Sequence, residues 1–393
     1  MRYYSKKMKI IRYLFLLLFV LAAAHPAKAQ VPELINNPDF RTDAKAAVDS
    51  VYNLNFKGAE EELSTWKDKH PDHPLWTLFE GMELWWTVLT DLHDRSHDEQ
   101  FFEMMKKTDY QAGKLLHRQP KHVDGLLIRA ISNGYLARQY ANREQWITSI
   151  NYGRKAIRAY NYLLDIQPEL NDLKLAEGLK LYYLDYIPDE YPVVKTVSWA
   201  LPDGDKQKGL QAIEEASKTA IFARAEATYF LGNIHYNYEK NFEVAVHNFE
   251  KLHRQYPNNS YYIRILVKSY YKQSRFDEAL TLIESNLQRW KQKDLPDLKV
   301  VQEELLTWKG RIMEQRGRTD EAIDCYTRAF RLGEELPDTK NRSFYVVSGY
   351  LAGKLLAKNG SKDKAKGILN EVIKAEAEKG YRRQAEELLA EIN

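Results

Sequence analysis

Cysteine is almost missing from this chain: among 393 residues Cys325 stands alone. No internal disulfide can form, so packing must stabilise the fold unaided. Alternating runs of valine and isoleucine are scarce, which argues against strands. After residue 24 no segment is apolar enough to span a membrane. Catalytic patterns are missing too. Gly113-Lys114 and Gly353-Lys354 lack the upstream glycine that a phosphate-binding loop requires. No G-x-S-x-G elbow and no G-x-G-x-x-G turn occurs. The expectation is a protein that is not an enzyme, with no catalytic residues, no metal and no cofactor.

A strong charge of either sign is also lacking. The formal charge is +3, but six basic residues and no acid lie in residues 1–29, so the rest of the chain carries −3. A faintly acidic, mixed surface has no footprint for nucleic acid. Those first residues have their own logic. Arg2, Lys6, Lys7, Lys9 and Arg12 precede an apolar run, Tyr13 to Ala24, and Ala27-Lys28-Ala29 places small residues where a signal peptidase reads. The run is about 12 residues where a spanning helix needs about 20. Residues 1–29 are therefore expected to be a signal peptide cleaved before Gln30. The expected address is the bacterial periplasm or outside the cell, with peripheral association with the envelope left open. No cysteine follows the run, so a lipoprotein anchor is not expected.

What the chain does hold is helix-forming residues, Leu, Ala, Glu, Lys, Arg and Tyr, arranged with a repeat. Gly310 is followed twelve residues on by Ala322, and Gly353 by Ala365; Gly232 is followed by Ala245 at thirteen. Ala245 is followed by Pro257 at twelve, as Ala59 is by Pro71. Two antiparallel helices approach closely only where small residues meet, and a proline ends the second helix where the chain must turn.

These spacings resemble the tetratricopeptide repeat, with its small residue on helix A, alanine on helix B and closing proline. The best unit runs Gly310, Met313, Gly317, Ala322, Tyr326, Ala329. The resemblance implies an all-α, right-handed α-solenoid of about eight antiparallel helix pairs, with a capping helix at Tyr381–Ile392. The alanines at 279, 322 and 365 are 43 apart rather than 34, with the surplus in loops such as Gln292–Asp297 and Glu334–Lys340. Residues 97–187 are expected to be helical but match the repeat poorly. The expected division is a divergent half at 30–187, a proline-containing connector at 188–205 and a second half at 206–393. The connector with Gly209-Leu210 also looks similar to a short segment of the inclusion-body-clearance family of tetratricopeptide proteins, a match too short to carry a function.

In the family the concave groove is lined by fixed positions of helix A. Carried over residue by residue, they fall on Tyr229, Asn233 and Tyr236, on Arg264, Lys268 and Tyr271, on Arg311, and on Tyr350 and Lys354. An aromatic groove with a cationic strip suits an extended peptide bearing a carboxylate. The resemblance thus implies a scaffold for protein or peptide partners. Two rivals remain. A small-ligand binder, for glycan or lipid, would use the aromatic first helices, where Trp76, Trp85 and Trp86 fall. Adjacent tryptophans cannot both face one core, so one of Trp85 and Trp86 must reach a groove or a neighbouring helix. A metal-dependent enzyme would use His93 and His97, four residues apart as on one helix face, although the segment is polar enough to be a loop. Cys325 is expected to be a small buried apolar residue.

Overall fold

The computed structural model describes residues 31–190, 203–290 and 298–392. Among them lie 17 α-helices, two short 3-10 turns and no strand. The chain is an all-α solenoid. Its helices pair as α1 (Pro38–Tyr52) with α2 (Phe56–Lys69), α3 (Leu75–Thr90) with α4 (Asp98–Arg118), and α5 (Val123–Asn142) with α6 (Trp146–Ile166). Then come α7 (Leu173–Glu190) with α8 (Lys206–Thr219), α9 (Arg224–Asn237) with α10 (Phe242–Gln255), and α11 (Ser260–Lys272) with α12 (Phe276–Trp290). The last pairs are α13 (Leu298–Gln315) with α14 (Thr319–Glu334) and α15 (Ser343–Lys358) with α16 (Lys362–Val372); α17 (Lys379–Ile392) caps the end. The expected signal peptide, residues 1–29, and the loop Gln292–Asp297 lie outside the described residues. So does most of the 188–205 connector, although Pro188 itself sits in the last turn of α7.

The repeat has a local cause that recurs. Each odd helix starts on a polar cap where the sequence provides one: Asn37 accepts from the Asp39 and Phe40 amides, and Asn259 from those of Tyr261 and Tyr262. Six hairpins then turn through one residue in the left-handed region: Leu54, Glu144, Lys240, Ser274, Gly317 and Gly360. In five of them the next amide reaches back to a carbonyl five residues earlier, as Arg318 does to Met313, closing the helix end. Five residues beyond each turn residue stands a small one: Ala59, Ser149, Ala245, Ala279, Ala322 and Ala365. All but Ser149 of these are buried.

The helix A glycines explain the offsets seen in the sequence. A Cβ on Gly232 would lie 2.4 Å from the Phe249 ring, one on Gly310 2.6 Å from Tyr326, and one on Gly353 2.6 Å from Leu369. Glycine is required there because the facing helix brings a large side chain into contact with the backbone.

The array is not uniform. Helix α6 packs on α5, α7 packs on α8, and little joins α6 to α7. Instead the first helices fold back onto the middle of the chain. Asp49 of α1 accepts from Arg224 and from the Tyr256 hydroxyl at 2.7 Å. Asn259 donates to the Tyr52 carbonyl at 2.7 Å, and the Asn258 amide to Asn53 at 3.0 Å. Glu226 accepts from the Tyr52 hydroxyl and pairs with Arg138 of α5. Further along, Arg342 pairs with Asp91. One apolar core runs from Leu34 across this seam to Leu355. Trp85 and Trp86 divide between its two sides. Trp85 meets Phe101 and Tyr135 within the first half, while Trp86 meets Tyr261 and Tyr262 of α11 across the seam.

Candidate functional site

Helices α9, α11, α13 and α15 present one row of side chains each, spaced at three or four residues so that they share a face. The nine residues that the sequence assigns to a groove all lie on these rows, and the structure divides them into two groups.

The first group is consumed by the seam. Tyr229 is buried, its hydroxyl 2.8 Å from that of Tyr261, and Asn233 donates to it at 3.3 Å. The Arg138 guanidinium lies over the Tyr229 ring. Burial raises the Tyr229 hydroxyl well above the ordinary phenol range. Arg264 pairs with Glu304 at 2.5 Å and donates to the Thr90 carbonyl of α3 at 2.9 Å. Its guanidinium therefore belongs to the packing of α11 against α3 and α13, with its donors already engaged by Glu304 and Thr90.

The second group forms a strip along the remaining helices. Tyr236 is half-buried, with its hydroxyl pushed up to about 12 by burial, and exposed Lys268 lies 5.0 Å above its ring. Tyr271 contacts Phe276 and Trp308, at 5.6 and 5.0 Å between centroids. Arg311 lies over Trp308 and donates to the Tyr381 hydroxyl at 3.3 Å. Tyr350 contacts the Tyr381 ring at 5.4 Å, and Lys354 pairs with Glu314 at 3.1 Å.

Two participants escape the sequence reading. Tyr381 comes from the capping helix, outside any repeat position, and closes one end of the strip. Trp308 lies two residues before Gly310 and joins Tyr271 to Arg311. Its signal was a tryptophan beside the closest helix crossing, which reads equally well as core.

The rival sites are placed as follows. Trp76, Trp85 and Trp86 are all buried in helix packing. His93 and His97 do not share a helix: the first lies in the turn after α3, the second at the cap of α4. His93 faces Asp338 at 3.8 Å, and burial and then Arg342 hold its imidazole below the usual range. Among the described residues no group of three His, Cys, Asp or Glu could hold a metal ion. No helix among them is long and apolar enough to cross a membrane. Cys325 is buried, which pushes its thiol up to about 11.

No family model and no curated protein matches the chain. Among solved structures it is similar to a tetratricopeptide repeat protein from Parabacteroides merdae, at 14% identity over 78% of this chain and 99% of that one, with a TM-score of 0.31. It is also similar to yeast Tom70, at 15% identity over 92% of this chain and 89% of that one, with a TM-score of 0.30. A third is the tetratricopeptide domain of P58(IPK), at 11% identity over 73% and 85%, with a TM-score of 0.22. The chain's own helix contacts decide its architecture: with a glycine of one helix against a large side chain of the next in three hairpins, and a left-handed turn residue in six, it is an all-α solenoid of helical hairpins.

Proposed function

We propose that this chain is an exported, non-catalytic scaffold that holds an extended, carboxylate-bearing segment of a partner protein along the strip of Tyr236, Lys268, Tyr271, Arg311, Tyr350 and Lys354. One observation carries the reading. Of the strip's cations, Lys354 is paired with Glu314, whereas Lys268 and Arg311 have no carboxylate partner among the described residues. Both lie over aromatic rings, which orients them and excludes part of their water. An anion arriving there gains charge-assisted hydrogen bonds without breaking an ion pair. Tyr271 and Tyr350, half-buried beside them, are the tyrosines placed to meet a peptide backbone.

The test is affinity capture from the envelope fraction of the native organism, comparing wild type with Lys268→Glu/Arg311→Glu. Arg264 is left intact because it belongs to the seam. Specific proteins held by wild type and lost from the variant are the expected result. The same proteins held by both would remove the strip from the proposal. Capture of nothing by either would favour a small ligand over a protein. Export is tested separately: N-terminal sequencing of the native protein should begin at Gln30.

A further inference from the structure

Helix α6 differs from the other inner helices in what it turns outward. Trp146 is 61% exposed, Ile147 79%, Ile150 53% and Ile157 59%. These four fall in one row, and Arg154 and Arg158 stand exposed between and beside them. From Trp146 to Ile157 the row is about 17 Å long at 1.5 Å per residue. A water-facing helix of a repeat array normally shows polar side chains there. This row is left open because the array breaks after α6: α6 packs on α5, and α7 leaves to pair with α8.

Helix α4, joined to α6 through α5, extends the same character. Phe102 of α4, Tyr140 of α5 and Tyr152 of α6 stack in one ladder, with centroids 4.3 and 5.3 Å apart. Lys106 of α4 lies over the first two rings, at the α4–α5 end of the ladder. One and two turns further along α4 come Tyr110, 62% exposed, and Lys114, stacked on Tyr110 at 4.7 Å. Charge is biased too. Residues 98–166 hold eleven Lys and Arg against seven Asp and Glu, in a chain that is net acidic beyond residue 29.

We propose that the outer face of α6 lies on an anionic lipid bilayer. The combination fits: isoleucines and a tryptophan to enter the boundary between headgroups and acyl chains, and arginines beside them to meet lipid phosphates. A second copy of the chain fits worse. A two-fold axis near the middle of α6 would set Arg154 and Arg158 against their own images, an uncompensated like-charge contact. A groove-seated partner fits worse as well, because the two cavities described among these residues lie elsewhere, at α3–α13 and at α10–α12. The proposal rests on the export reading only for where such a bilayer is met, and the N-terminal sequence tests that separately.

The experiment is fluorescence quenching on vesicles of phosphatidylethanolamine and phosphatidylglycerol carrying brominated acyl chains, using the full chain. Subtracting a Trp146→Phe variant isolates the Trp146 signal, whatever else anchors the protein. Strong quenching of Trp146 is expected on these vesicles. At least a tenfold higher lipid requirement is expected on phosphatidylcholine, and a similar rise for Arg154→Glu/Arg158→Glu. Ile147→Glu/Ile157→Glu should abolish the quenching while leaving the circular dichroism and melting curve unchanged, since both side chains are exposed. No quenching of Trp146 at millimolar lipid overturns the proposal. Equal quenching on anionic and neutral vesicles overturns its charge basis. A concentration-dependent dimer removed by Ile147→Glu/Ile157→Glu would assign the face to a second copy instead.

Discussion

Replacing Arg264 by leucine tests the seam most directly. Its guanidinium is the partner of Glu304, which is only 6% exposed, and it also holds the Thr90 carbonyl. Without it, Glu304 keeps one weak donor, the Trp308 indole at 3.3 Å, and remains a buried charge. Removing one member of a buried pair costs about 3–5 kcal/mol. Replacing both members by apolar residues is often close to neutral, because both desolvation penalties disappear together. Arg264→Leu should therefore lower the stability of the whole chain by about 3–5 kcal/mol, and Arg264→Leu/Glu304→Leu should recover most of the loss. Urea titration followed by far-ultraviolet circular dichroism measures the first quantity. Hydrogen exchange at the α3 and α11 amides shows whether the seam opens locally or the chain unfolds as one. A single variant within about 1 kcal/mol of wild type, the size of an exposed pair, would mean that Arg264 is solvated and the halves are not closed on each other. A double variant no better than the single would locate the loss in packing rather than in charge.

Four further outcomes follow from the packing. Burial, opposed in part by Arg342 and reinforced by Glu304 and Asp91, pushes the Glu303 carboxyl up to about 8. The folded state thus favours its protonated form, and that stabilisation, complete below pH 4.5, is lost as pH rises through 8. Glu303→Gln should be neutral at pH 4 and should stabilise by at least ~1 kcal/mol at pH 8.5 in thermal melts. Gly310→Ala places a methyl against Tyr326 and should cost about 1–3 kcal/mol. Gly113→Ala, with nothing within 4 Å, should gain about 0.5–1 kcal/mol. Cys325 should resist thiol reagents at pH 7.5 until denaturant exposes it, since its thiol is buried and protonated.

The architecture was legible where small residues carry it. Gly310 with Ala322 and Gly353 with Ala365 mark helix crossings by their common twelve-residue spacing. The α5–α6 hairpin was legible as helix but matched the repeat poorly, because serine, Ser149, stands where the other hairpins have alanine, and its turn residue is Glu144 rather than glycine. Four of the six turns use residues other than glycine, paying for the left-handed backbone with the capping hydrogen bonds around them. The groove was legible as a face but not as a surface. Helix periodicity puts Tyr229 and Arg264 on the same side as Lys268, yet only the fold-back of α1 and α3 decides which of them meets solvent. That fold-back rests on contacts such as Asp49 with Arg224, 175 residues apart, and no local pattern encodes such a pairing.

Closure of the array also imposes an order in time. The partner of Asp91 is Arg342, 251 residues later. At about 5–20 residues per second, a growing chain leaves α3 without that partner for roughly 10–50 s. Over part of that interval Trp86 lacks Tyr261 and Tyr262, so an aromatic face meant for the interior stays in the open. An open solenoid would face no such delay, since each hairpin meets its neighbour as it emerges. Here the earliest helices are the last to be finished, and the unfinished chain is the form most exposed to aggregation.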